Sequence, residues 1–131
     1  MKKLMNKKGF TLMEMLIVVA IIVILVAISI PTFSSQLDNA KEATDDANFR
    51  AAKGVAEVAD MTADGWKTIL GTAYDDTDAA DTDYTIYYNI ETGTFQEAKP
   101  TGYGQSSDNK GKVIKVVLNA GVMTNDSPEW E

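Results

Sequence analysis

The chain has no cysteine and no histidine, and each absence excludes a class of protein. Without cysteine, no disulfide can stabilise the fold, so an exported domain of this sequence must depend on its own hydrophobic core. Without histidine or cysteine, the chain cannot form Ser–His or Cys–His nucleophiles or a zinc site built on these residue types. The composition therefore indicates a protein that is not an enzyme, and we expect no catalytic residue, cofactor or metal.

Basic residues are scarce in most of the chain. The region after residue 37 has 18 acidic residues against 8 basic ones, while four lysines (Lys2, Lys3, Lys7 and Lys8) lie at the N-terminus. An acidic surface repels the phosphate backbone of nucleic acids. We therefore expect no direct nucleic-acid binding.

A continuous apolar run, FTLMEMLIVVAIIVILVAISI, fills residues 10 to 30. At about 1.5 Å per residue, a helix of this length spans roughly 30 Å, the hydrocarbon thickness of a bilayer. Backbone groups in lipid must be bonded internally, so we predict a helix despite the many β-branched residues. The lysines before it favour a cytoplasmic N-terminus.

Three interpretations of this run compete. It is a permanent membrane anchor, a secretory signal removed after the run near Ala27 and Ser29, or a segment that is kept after cleavage in front of it. Glu14 distinguishes among them, because a carboxylate inside a membrane segment costs about 2.5–3.5 kcal/mol. A plain anchor or signal peptide gains nothing from that cost, so Glu14 indicates a specific function for the segment.

The residues around Glu14, KKGFTLMEMLIVVAII, resemble the prepilin cleavage motif of type IV pilins. The resemblance implies that a prepilin peptidase cuts after Gly9, that the new N-terminal residue Phe10 is methylated, and that Glu14 is the fifth residue of the mature chain and acts in assembly. It also implies a helix-kinking proline at Pro31. Pro31 cannot donate to the carbonyl of Ala27, which favours a bend. The alternative is that the helix ends at Ile30.

The pattern after Pro31 remains helical to about residue 63. Apolar or small residues predict one face, and charged residues including Asp45 and Asp46 predict a solvated opposite face. Asp64 and Gly65 form a plausible helix end. The predicted apolar face consists of Phe33, Leu37, Ala40, Ala47, Ala51, Val55 and Val58.

The remainder of the chain predicts a small antiparallel sheet. Residues 65–83 are a loop whose start can form a short helix, and whose acidic end, Asp75 to Asp83, is either a calcium site or, as we favour, a solvated surface loop. Alternating and β-branched residues predict strands at 84–90, 94–98 and 112–118, with a turn at Asn119, Ala120 and Gly121. The fold class is therefore α+β, pilin-like, with a long N-terminal helix packed on a small antiparallel sheet.

The expected organisation is a cationic leader at 1–9, a transmembrane and filament-core helix at 10–31, and a soluble headgroup at 32–131. Within the headgroup, the amphipathic helix covers 32–64, the loop 65–83, and the strands and tail 84–131. The resemblance implies a structural subunit that is a single-pass membrane protein before assembly and part of a cell-surface pilus afterwards. Its partners are then other copies of itself, the prepilin peptidase, the pilus assembly machinery and the lipid bilayer.

Two other functions fit the same sequence. One is a pseudopilin of a type II secretion or competence system, and the other is a membrane-tethered binding module that never polymerises. Motility, adhesion and DNA uptake are not distinguished by the sequence, and the absence of cysteine leaves a Gram-positive origin open.

Overall fold

The computed structural model describes residues 9–71, 74, 83–124 and 127–131. The chain divides into two compact units, an N-terminal unit that ends at Leu37 and a headgroup unit from Asp38 to Glu131. A single α-helix, α1 (Leu12–Met61), begins in the first unit and ends in the second.

Helix α1 continues through Pro31, so the interpretation that it ends at Ile30 is wrong. Two hydroxyls near the proline donate to carbonyls one turn earlier, Ser29 to Leu25 at 2.6 Å and Thr32 to Ile28 at 3.3 Å. Such bonds satisfy polar side chains without needing water, which suits a helix in an apolar environment. The bend at Pro31 stays a prediction.

The N-terminal unit has exposed apolar side chains on every side of the helix. Among the described residues, α1 is the one helix long and apolar enough to cross a membrane by length and composition, and its most apolar window is not buried within the structure. A helix that is apolar all round needs either lipid or other protein around it.

The sheet of the headgroup unit is antiparallel throughout. The strands are β1 (Tyr84–Asn89), β2 (Thr94–Gln96), β3 (Ile114–Asn119), β4 (Val122–Met123) and β5 (Glu129–Trp130). The strand order is β2-β1-β3-β4, and β5 pairs with the beginning of β3. Register places Ile86 opposite Val116 in the central pair and Tyr88 opposite Phe95 in the outer pair.

One face of the sheet and the headgroup part of α1 form the hydrophobic core. The helix contributes the buried alanines Ala52, Ala56 and Ala59, and β1, β2 and β3 contribute larger side chains. Small residues on the helix allow its backbone to lie close to a sheet that presents bulky side chains. This packing confirms the α+β fold class. The buried strand residues are Ile86, Tyr88, Phe95, Ile114, Val116 and Leu118.

The buried face of α1 differs from the predicted one. Ala47, Ala51 and Val58 were predicted to face the core, but all three are exposed. The predicted face was therefore wrong at these positions, because alanine occurs on both sides of the helix and gives a weak periodic signal. Asp45, predicted on the solvated side, is buried.

A second, short helix, α2 (Gly65–Leu70), closes the end of the core within the region predicted as a loop that starts with a short helix. Trp66 is buried edge-on to Phe95, with ring centroids 5.6 Å apart. Asp60 near the end of α1 accepts hydrogen bonds from the Trp66 indole at 3.3 Å and from the Met123 N–H at 2.7 Å. One carboxylate thus connects α1, α2 and β4.

The tail after the predicted third strand adds two short strands. Ala120 and Gly121 have φ of 48° and 78° and join β3 to β4 by a two-residue turn, the geometry that matches the twist of paired strands. Strand β5 pairs with β3 as an antiparallel strand, and an ion pair of 3.1 Å between Lys115 and Glu129 lies across the pair. The tail is therefore part of the sheet.

Candidate functional site

The predicted cleavage position lies immediately before α1. Gly9 and Phe10 are both exposed, and a Cβ atom placed on Gly9 meets no atom of the described residues within 4 Å. The side chain of Phe10 is 81% exposed. The peptide bond between these two residues is therefore open to another protein.

Thr11 and Glu14 form a reciprocal cap at the start of the helix. The Thr11 N–H donates to Glu14 Oε2 at 2.7 Å, and the Glu14 N–H donates to Thr11 Oγ1 at 3.2 Å. This Thr-x-x-Glu arrangement is the capping box, which satisfies two backbone donors that a helix start otherwise leaves without partners. The Thr-x-x-Glu spacing was readable in the sequence, but the sequence analysis missed the role of Thr11.

The cap does not neutralise the charge of Glu14. Its side chain is exposed, and the Thr11 amide that reaches Oε2 is a neutral donor. In the part of the chain that the structure describes, Oε1 has no donor and no cation lies within ion-pair distance. The carboxylate can therefore accept a cationic group from outside the described residues without giving up the cap.

The N-terminal residues with proposed roles lie within six consecutive positions at the start of α1: Gly9, Phe10, Thr11 and Glu14. Pro31 lies on the same helix but roughly 25 Å further along it, at about 1.5 Å per residue. The predicted cleavage position and the Glu14 carboxylate are therefore near each other in the chain, and Pro31 lies apart from both.

Asp45 forms a second polar site, inside the headgroup unit. Its side chain is 1% exposed, and its two oxygens accept hydrogen bonds from the loop between β2 and β3. The donors are the Gln105 N–H at 2.9 Å, the Ser106 N–H at 2.8 Å and the Ser106 hydroxyl at 2.6 Å. A buried carboxylate with several donors fixes this loop to α1. No periodic pattern in the sequence identifies such a bond, because its partners are sixty residues apart.

Asp45→Ala is expected to lower the free energy of unfolding of the headgroup unit by about 2–4 kcal/mol, because it leaves buried donors of Gln105 and Ser106 without an acceptor. Asp45→Asn keeps one acceptor oxygen and loses the charge, so its free energy of unfolding should lie between those of the parent chain and Asp45→Ala. The exposed neighbour Asp46 is the control, and Asp46→Ala should change the free energy by less than about 0.5 kcal/mol. Urea unfolding of the purified chain, followed by tryptophan fluorescence, measures all three. An Asp45→Ala value equal to that of Asp46→Ala would contradict this role.

The Asp45 carboxylate also makes the stability of the headgroup unit depend on pH. Burial raises the pKa of Asp45, but the hydrogen bonds from Ser106, Gln105 and Asn109 outweigh it, and the pKa lies below its ordinary value. A depressed folded-state pKa contributes stability above the unfolded pKa of about 3.9, and this contribution is lost as the pH falls through the folded pKa. The acid-side loss of stability should therefore be smaller in Asp45→Asn than in the parent chain.

The tyrosines of β1 belong mainly to the sheet. Tyr88 is buried, and Tyr84 and Tyr87 are partly buried. Burial, the hydrogen bond to Glu97 and the charge of Glu97 together raise the pKa of Tyr84 to about 12. These contacts agree with packing roles.

Most of the acidic segment that the sequence analysis weighed as a calcium site, residues 75 to 82, lies outside the described residues. Asp83 is described, and its carboxylate accepts a hydrogen bond of 3.0 Å from the Asn119 side chain. Among the described residues, no group of three or more carboxylates is placed to hold a metal ion.

Comparisons with known proteins give one family model and one relative for this chain. Residues 4–30 match the family model of the prokaryotic N-terminal methylation motif. The chain is also similar to the type IV narrow pilus major component PilA5 of Thermus thermophilus, with 44% identity over 64 residues. That match covers 49% of this chain and 55% of the relative, so the chain spans about half the length of the curated relative it matches. No solved structure matches the chain.

Proposed function

We propose that this chain, whose methylation motif and Thermus relative support the type IV pilin family, is a structural subunit of a type IV pilus-like filament. It is made as a precursor, cut by a prepilin peptidase between Gly9 and Phe10, and polymerised through its N-terminal helix. The observation that carries the proposal is the charged Glu14 at the start of a helix with apolar, exposed side chains on all sides.

Cleavage supplies a new cation close to Glu14 in the chain. The cut leaves a positive amine on Phe10, whether or not that amine is methylated. A carboxylate in the membrane is costly, and an ion pair with good geometry in a dry environment recovers much of that cost. In a staggered bundle of helices, the Glu14 carboxylate of one copy can bind the Phe10 amine of its neighbour.

The apolar surface of the N-terminal unit provides the contact area between copies. Before assembly, its side chains face lipid in a single-pass membrane protein. In the filament, the same side chains pack against the helices of other copies, and the lipid contacts are exchanged for protein contacts. The filament is then displayed at the cell surface.

One observation favours a pilus over a secretion pseudopilus, and it is the name of the Thermus relative. That protein is a major component of a pilus. Assembly machinery in the membrane is required to extract each subunit from lipid, since the apolar helix does not leave the bilayer unaided.

Expression of the whole chain with a prepilin peptidase and assembly machinery, in cells that lack their own pilins, tests the proposal. We expect the sheared cell-surface fraction to contain filaments, visible by electron microscopy, in which this chain is the main protein. If the chain stays in the membrane fraction and no filament appears although the machinery assembles a known pilin, the proposed function is wrong.

A further inference from the structure

The headgroup unit has an open apolar groove of about 580 Å³ between α1 and α2. The groove borders the core at Ala59, and Val55 and Ile69 in its wall pack against the core. Its outer part is open, because Ala51, Gly54 and Val58 on α1 are exposed. Val58, in its wall, is 67% exposed. This α1–α2 groove is lined by residues that include Arg50, Ala51, Gly54, Val55, Val58 and Ile69.

Two residues of the groove have no evident role in contacts among the described residues of the chain. A Cβ atom on Gly54 meets nothing within 4 Å, yet glycine inside a helix costs about 1 kcal/mol relative to alanine. Arg50 is exposed, and among the described residues its guanidinium has no carboxylate within ion-pair distance. In the part of the chain that the structure describes, the groove thus combines apolar walls, space for close approach of a backbone and a positive charge without an ion-pair partner.

Outside the groove, the described residues of the same unit offer one surface that complements it, the turn with Ile90 and Glu91. This turn places an exposed apolar side chain next to an acidic one. Large apolar side chains are exposed at Val58, Met61, Ile90 and Val122. Val58 lines the groove, and Met61 follows it on the same helix. Of the other two, Ile90 is followed directly by Glu91, whereas Val122 has no acidic neighbour in the sequence.

The turn that carries Ile90 is held in shape before any contact is made. The Asn89 side-chain oxygen accepts hydrogen bonds from the Glu91 N–H at 2.9 Å and the Thr92 N–H at 3.4 Å. Gly93 completes the turn with φ of 69°, a conformation that favours glycine. An ordered turn loses little conformational entropy when it binds.

We propose that the α1–α2 groove receives the β1–β2 turn of a second copy of this chain, with Ile90 between the groove walls and Glu91 paired with Arg50. Arginine suits this role because its planar guanidinium can bind a carboxylate through two hydrogen bonds. The inference rests on the proposed function, and it adds a specific headgroup contact to assembly through the N-terminal helix.

The contact joins two different surfaces, so each copy uses its groove for one neighbour and its turn for the next. Such head-to-tail contacts continue into an open helical filament when the rotation between copies does not close a ring. The charge pair at the edge of the groove selects the correct neighbour and register rather than supplying most of the affinity.

Cysteine cross-linking tests this contact cleanly, because the natural chain has no cysteine. Filaments of the double variant Val58→Cys, Ile90→Cys are oxidised and separated on a denaturing gel. We expect a ladder of covalent oligomers that disappears on reduction. Either single variant should give no ladder, and Val58→Cys combined with Val122→Cys, another exposed apolar position, should give none.

Charge reversal is the second measurement and does not depend on a disulfide. Arg50→Glu and Glu91→Arg should each lower the amount of sheared filament several-fold, and the double variant should recover most of the loss. The double variant restores a pair of opposite charges, so recovery is expected only if the two residues meet in the filament. The apolar surfaces are the same in all three variants.

The outcomes separate this inference from the proposed function. The proposed contact is wrong if filaments form normally but the Val58–Ile90 pair gives no ladder, or if the Val58–Val122 pair gives an equal ladder. Neither result contradicts the proposed function as a pilus subunit. The contact would also be overturned if no ladder forms while Val58→Cys in filaments is protected from a water-soluble maleimide. That result would mean that something else, such as lipid, fills the groove. Failure of the parent chain to form filaments overturns both.

Discussion

Replacing Glu14 with alanine is expected to remove nearly all filaments made from this chain alone, while cleavage, membrane insertion and headgroup folding stay intact. The reason is that the carboxylate supplies the charge that the Phe10 amine of a neighbouring copy needs in an apolar environment. Sheared filament yield measures assembly, and the mass of the membrane-bound chain measures cleavage. The host cells must contain no second pilin that could rescue the variant.

The capping box gives this prediction a matched control. Glu14→Gln keeps an oxygen that can accept from the Thr11 N–H, and glutamine serves in capping boxes as glutamate does. If the charge drives assembly, the glutamine variant should fail almost as completely as the alanine variant. If the cap is what matters, the glutamine variant should assemble.

Two further variants complete the series. Glu14→Asp keeps the charge and shortens the reach, so it should give an intermediate amount of filament. Thr11→Val removes the hydroxyl that accepts from the Glu14 N–H but keeps the carboxylate, and it should assemble better than Glu14→Gln. Filaments at the parent level from Glu14→Ala would show that Glu14 pairs only with its own N-terminus, or with nothing, and sets no register.

Gly9→Val is expected to block processing, so that the full-length precursor accumulates in the membrane. A residue without a Cβ allows the peptidase to approach the backbone closely, and a β-branched side chain at the cut obstructs that approach. Among the described residues, no atom lies within 4 Å of the Gly9 Cβ position, and Gly9 lies outside the folded headgroup unit. A processing defect with normal headgroup folding therefore reports on recognition by the peptidase.

Immunoblotting against the headgroup distinguishes precursor from mature chain by size. Gly9→Ala is the graded control and should be processed slowly, between the parent and the valine variant. A Gly9→Val chain that is cut at the parent rate would contradict the assignment of the cleavage position.

The sequence predicted the parts of the fold that repeat a local pattern. The apolar run and the alternation in residues 84 to 90 indicated a helix and a strand, and the structure has α1 and β1 there. The methylation motif was also local, and the family model matches the same residues. Short-range periodicity is the signal that a single sequence carries best.

The parts that sequence analysis missed depend on contacts between distant residues. Asp45 lies among charged residues on α1, and nothing near it in the chain shows that Gln105 and Ser106 will surround it. The core face of α1 was predicted at the wrong residues because alanines such as Ala51 and Ala52 occur side by side, one exposed and one buried. A small side chain fits both environments, so only the sheet decides which one is buried.

The intact mass and N-terminal sequence of subunits taken from sheared filaments test the central claim most directly. We expect a chain that begins at Phe10, lacks the four leader lysines, and carries one methyl group on its amine. The absence of cysteine simplifies the mass assignment, because no disulfide changes it. A native chain that still begins at Met1, or that begins at Ile30 after removal of the apolar segment, would contradict the claim that this protein is a processed pilus subunit.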